Sequence, residues 1–165
     1  MPTITIDGTK GLVQKPGNTD IVLKGDGHLS GHKRVVEALS SAKTLTVADS
    51  GKVFTLDSDG GAFAITLPTA TSAAEATAMV GCTYTVVDYD ISGNNVTIVR
   101  GDTSNDAITG GACSIADGAA AGITVGSNVI TFVGGTSVQG DNVTVVCYYA
   151  DADDTRWTAY GACAT

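Results

Sequence analysis

Two histidines, His28 and His32, stand four residues apart in Gly27-His28-Leu29-Ser30-Gly31-His32. On a helix they would share a face and could hold a metal ion. The flanking glycines disfavour that helix, and Leu29 stands where the His-Glu-x-x-His pattern needs its glutamate. The expectation is two ordinary exposed histidines. A nucleophilic triad would have to draw on one of them. Asp-x-Asp pairs occur at Asp57/Asp59, Asp88/Asp90 and Asp151/Asp153, with Asp154 adjacent. Oxygen ligands so spaced suit calcium, but a calcium loop also needs a third ligand, a central glycine and a closing glutamate. Aspartate is equally the residue that bonds its own backbone in turns. The pairs are therefore read as turns, with a weak calcium site at Asp151–Asp154 as the remainder.

Paired carboxylates for glycoside cleavage usually include a glutamate, and the chain has only Glu37 and Glu75. Asp49-Ser50-Gly51-Lys52 contains a Gly-Lys pair but lacks the spaced glycines of a phosphate loop and precedes a strand pattern. No phosphate binding is assigned to it. Tyr148, Tyr149, Trp157 and Tyr160 gather near the C-terminus. Exposed, they could stack on a sugar. Period-2 alternation puts Trp157 and Tyr160 on opposite faces, and likewise Tyr148 and Tyr149, so half of the set is expected in a core or an interface. Cys82, Cys113, Cys147 and Cys163 have spacings that match no zinc pattern, and they read as reduced, partly buried thiols. The expectation is no enzyme, no cofactor, no resident metal and no small-molecule substrate.

The elements that would position these residues follow from composition. Hydrophobic residues make up 43% of 165 and charged residues 16%, which suits a folded core rather than a disordered chain. Glycine is frequent and proline scarce, and short Val/Ile/Thr runs alternate with Gly, Asp and Asn. That pattern indicates an all-β domain with many turns. Strands are expected near 44–48, 52–57, 63–67, 83–89, 95–99, 106–109, 122–125, 128–133, 142–149 and 155–160. One helix is expected after Pro68, where Ser72-Ala73-Ala74-Glu75 fits a capping box and Gly81 can take the left-handed stop.

Residues 1–43 differ. Thr3-Ile4-Thr5-Ile6 alternates and Ile21-Val22-Leu23 is a second short extended piece, but glycines and polar residues break both. Val35, Val36, Ala38 and Leu39 suit either one helical turn or an extended lead-in. The division expected is an extended N-terminal arm over 1–43 and a β domain over 44–165. Charge divides similarly: residues 1–52 carry seven Lys/Arg and five Asp/Glu, and residues 53–165 carry two and twelve. The acidic body disfavours nucleic acid. The basic first segment suits an acidic protein surface, or a solvated arm equally well. No apolar run approaches the roughly 20 residues that cross a bilayer. The start, Met-Pro-Thr-Ile-Thr-Ile-Asp, lacks the basic and apolar parts of a secretory signal. The protein is expected to be made in a cytoplasm and kept there or released with a particle.

One run carries a resemblance: Leu45-Thr46-Val47-Ala48-Asp49-Ser50-Gly51-Lys52-Val53-Phe54-Thr55-Leu56, then Ala64-Ile65-Thr66-Leu67-Pro68. It resembles a β module, LTxADSGKxFxL…ITLP, that recurs in structural proteins of tailed bacteriophages. Gly140–Val146 with Arg156–Gly161 resembles the module's closing hairpin, where the Trp packs inside. The likeness is close over 44–68 and looser over 81–161, and residues 69–80 insert the capped helix. The resemblance implies a compact antiparallel β-sandwich or barrel-like domain in a virion. It implies a capsid decoration (cement) protein on the outside of the head, partnered by the major capsid protein and forming a homotrimer. Thr3, Ile4, Thr5, Ile6, Ile21, Val22 and Leu23 would then be the partner-binding residues of the arm. The alternative is a tail-fibre or host-recognition domain that binds glycans through Trp157 and Tyr149.

Overall fold

The computed structural model describes residues 33–90, 93–109, 123–126 (backbone only) and 128–162. The chain divides between His32 and Lys33, and the described residues belong to the unit Lys33–Thr165. The arm residues 3–6 and 21–23, both histidines, Cys113 and Cys163 lie outside the described residues.

Eleven strands are described: β1 Val36–Leu39, β2 Lys43–Thr44, β3 Val53–Asp57, β4 Phe63–Thr66, β5 Thr83–Asp90, β6 Val96–Val99, β7 Ala107–Thr109, β8 Ile123–Gly126, β9 Val129–Phe132, β10 Asn142–Ala150 and β11 Thr155–Ala162. They form a six-stranded sheet, β1-β3-β5-β10-β11-β7, and a five-stranded sheet, β2-β4-β6-β9-β8. The architecture is mostly β with one α-helix, and its two sheets are compatible with a β-sandwich.

The sheets are mixed, which corrects the purely antiparallel expectation. β1–β3, β3–β5, β2–β4, β4–β6 and β11–β7 are parallel, while β5–β10, β10–β11, β6–β9 and β8–β9 are antiparallel. The reason is connectivity. From β1 to β7 each successive strand lies in the other sheet. A strand that returns to a sheet two crossings later runs the same way as its predecessor. Antiparallel pairs arise at the β8–β9 and β10–β11 hairpins, and where β9 and β10 come back against β6 and β5.

Alternation builds the core, because neighbouring side chains on a strand point to opposite faces. Phe54 and Leu56 of β3, Tyr84 and Val86 of β5, Val143 and Val145 of β10, and Trp157 and Ala159 of β11 point inward and are buried. Ile65 of β4, Val96 and Ile98 of β6, and Ile130 and Phe132 of β9 answer from the second sheet, and all belong to one cluster. Each fully buried Leu, Ile or Phe contributes about 1.5–3 kcal/mol, so the sheets are held mainly by this contact.

The helix α1, Ala73–Met79, has only seven residues. Such a helix is marginal alone, so its ends and its docking decide it. Ser72 Oγ accepts from the Glu75 N–H at 3.3 Å, as the capping box predicts. The return contact shifts by one residue: Glu75 Oε2 accepts from the N–H of Thr71 at 2.8 Å and from its hydroxyl at 2.6 Å. Gly81 ends the segment at φ +89. Ala76 and Met79 are buried in the core cluster.

Two further boundaries differ from the sequence pattern. Residues 36–39, placed with the arm above, form edge strand β1 of the six-stranded sheet, so the extended alternative holds there. The strand expected at 44–48 is only two residues long; a 3-10 turn, Val47–Asp49, follows.

Candidate functional site

The residues that carry the resemblance build the corner where the chain leaves β2 and enters β3. Leu45, Phe54, Leu56, Ile65 and Leu67 are all buried. Asp49 closes the 3-10 turn: its Oδ2 accepts from the Thr46 N–H at 3.0 Å and the Thr46 hydroxyl at 2.8 Å. Lys52 Nζ donates to Asp49 Oδ1 at 2.6 Å and to Glu37 Oε2 at 3.0 Å. Lys43 pairs with Glu37 and lies 3.7 Å from Asp49. Two lysines and two carboxylates thus tie β1, β2 and the corner together. Burial pushes the Asp49 carboxyl up, but the hydrogen bonds from Lys52 and Thr46 outweigh it and hold it down at about 2. Glu37 is held below its usual range by its hydrogen bonds from Lys43 and Lys52.

The rest of Asp49-Ser50-Gly51-Lys52 is equally structural. Gly51 sits at φ +84, a conformation that disfavours a side chain. Its N–H donates to Thr83 O at 2.7 Å, and Ser50 Oγ accepts from Thr83 N–H at 3.1 Å. Arg34 Nε donates to Gly51 O at 2.8 Å. The Tyr84 hydroxyl, pushed well above its ordinary pKa by burial, donates to Thr46 O at 2.9 Å. The tetrad therefore locks a crossover between the sheets. Beside it lies a cavity of about 540 Å³, whose apolar lining is Leu45, Val47, Leu67, Pro68 and Met79 and whose polar lining includes Glu75 and four threonines.

The aspartates are structural in two ways. Asp59 N–H bonds Asp57 Oδ1 at 3.1 Å, which is the expected turn use. Asp151 Oδ1 accepts from the N–H groups of Asp153 and Asp154 at 2.9 and 2.8 Å, and its Oδ2 from the Tyr149 hydroxyl at 2.7 Å. That carboxylate is already engaged in holding the β10–β11 turn. Asp88, in contrast, is no turn residue. It is an inward position of β5, 2% exposed, and Ser137 Oγ donates to it at 2.5 Å and to Asp141 at 3.2 Å. Asp106, 1% exposed, accepts from Thr155 N–H and Asp102 N–H, both at 2.8 Å. Sequence reasoning missed both buried carboxylates, although alternation along β5 placed Asp88 on the same face as Tyr84 and Val86. Among the described residues no three of His, Cys, Asp and Glu group to hold a metal ion.

The aromatic set divides differently from the expectation. Trp157 is fully buried and packs on Tyr84 with ring centroids 5.6 Å apart. It packs inside, as the resemblance to the closing hairpin implies, and the alternative's use of this ring to stack on a glycan does not fit that burial. Tyr148 and Tyr149 are both exposed, because a bulge between Cys147 and Tyr149 breaks the alternation. Tyr160 is exposed, as expected. Cys82 and Cys147 are buried free thiols, and burial pushes the Cys147 thiol up to about 11.

No protein-family model matches this chain, and no curated protein matches it.

Proposed function

We propose that this protein is a non-enzymatic structural component of a tailed-bacteriophage particle, a decoration protein that binds the outside of the head and stabilises the shell. The observation that carries the reading is what the shared residues do. Leu45 through Lys52, Phe54, Leu56, Ile65 and Leu67 supply the core and the crossover lock, so the motif specifies a rigid scaffold and presents no reacting group. Among the described residues, Asp151 and Asp106 hold backbone N–H groups and Asp88 holds the Ser137 hydroxyl.

Binding to the assembled shell alone stabilises it by mass action. The arm, through Thr3–Ile6 and Ile21–Leu23, would add a strand to a sheet edge of the major capsid protein, where main-chain hydrogen bonds supply affinity. The acidic body would face outward. Purified protein mixed with expanded empty capsids tests this: co-sedimentation and a raised capsid melting temperature are expected. Neither effect at micromolar protein would sink the reading.

A further inference from the structure

The outer face of the six-stranded sheet is broad and nearly free of charge. Its middle rows are Thr85, Thr144, Val87, Val146 and Thr158, with Thr85 and Thr144 hydroxyls 3.1 Å apart. Arg156 stands at one end, Asp57 at the other, and Arg34 reaches Thr85 from the rim. Of nine exposed large hydrophobic side chains in the described residues, four lie on this face: Val36 (63%), Tyr89 (59%), Tyr148 (50%) and Tyr160 (55%). Among the described residues, the acids on these six strands either stand at strand ends, as Asp57 and Asp90 do, or share the inward register, as Glu37 and Asp88 do.

We infer that this face packs against the same face of a second copy. Area decides in favour of a stable contact. An outward residue covers roughly 33 Å² of sheet, two residue rises by one strand spacing. About 20 outward positions on six strands give on the order of 650 Å² per copy and 1,300 Å² for the pair, above the ~1,000 Å² that a specific interface needs. The other sheet offers less: nine outward register positions on its five strands amount to roughly 300 Å². Charge points the same way. Two acidic copies repel, and least where a neutral face keeps like charges out of the contact, whereas a basic partner would be drawn to the acidic rims. A two-fold contact is self-complementary, setting Thr, Val and Tyr against their own kind.

Sedimentation equilibrium of the full-length protein from 1 to 200 µM tests the inference. The expected wild-type mass is twice the 16.5 kDa chain. Thr144→Lys and, independently, Thr158→Lys place an unpaired charge in the contact and should each weaken association roughly 100-fold, with unchanged far-UV circular dichroism. Thr97→Lys on the other sheet should leave the mass unchanged. A single-chain wild-type mass at 200 µM overturns the inference, as it would if other residues of the same chain cover the face. A three-chain mass overturns it in favour of a ring. A two-chain mass indifferent to both lysine variants places the contact elsewhere and also overturns it.

Discussion

Replacing Asp49 with Asn probes the corner lock without altering its shape. The amide oxygen can still accept from Thr46, but the ion pair to Lys52 at 2.6 Å is lost. The wild-type carboxyl is held at about 2 against an ordinary 3.8. At 1.36 kcal/mol per pKa unit that difference corresponds to about 2 kcal/mol of folding stability. Asp49 is 7% exposed, so solvent screening removes little of it. The folded pKa is depressed, so this stability is present above the unfolded pKa and disappears as pH falls through the folded one. Wild type should therefore exceed Asp49→Asn by about 2 kcal/mol at pH 7, or roughly 5–10 °C in melting temperature. The gap should begin to close below about pH 4 and be nearly gone at pH 2. Urea titrations of both proteins at pH 7, 4, 3 and 2 measure it. A gap of the same size at pH 7 and pH 2 would refute the electrostatic account. A gap below 0.5 kcal/mol at pH 7 would show that the lock contributes little.

Trp157→Ala should cost about 3–5 kcal/mol, because it empties a fully buried site against Tyr84; thermal melts will show it. Trp157→Phe should cost clearly less, since the indole N–H it removes has no acceptor among the described residues. Gly161→Ala would place a Cβ 2.1 Å from Asn142 O, and a loss of about 1–3 kcal/mol in urea unfolding is expected. Cys82 and Cys147 should resist alkylation at pH 8 in the native protein and label in denaturant, as mapped by mass spectrometry.

Which parts were legible follows from the range of the interactions involved. The strands expected near 52–57, 83–89, 142–149 and 155–160 are β3, β5, β10 and β11, because a Val/Ile/Thr run bounded by turn residues is a local signal. Ser72 and Gly81 marked the helix ends, since capping acts within a few residues. The pairing directions were not legible. Whether β3 meets β4 or β5 depends on crossings between sheets, and hairpin-like turns such as Asp57–Gly61 read the same either way. Asp88 and Asp106 were missed as buried groups because their partners Ser137 and Thr155 stand 49 residues away in both cases. The paired exposure of Tyr148 and Tyr149 hinges on one bulge, which no residue type there announces.

Capsid binding decides whether this protein stabilises a phage head, as proposed. On that proposal, expanded empty capsids of the phage that encodes the chain, incubated with purified protein, should carry it through a sucrose gradient at saturating stoichiometry. They should melt at a higher temperature than bare capsids, and deletion of residues 1–32 should abolish both effects. Capsids that sediment bare and melt unchanged in the presence of excess folded protein would contradict the account.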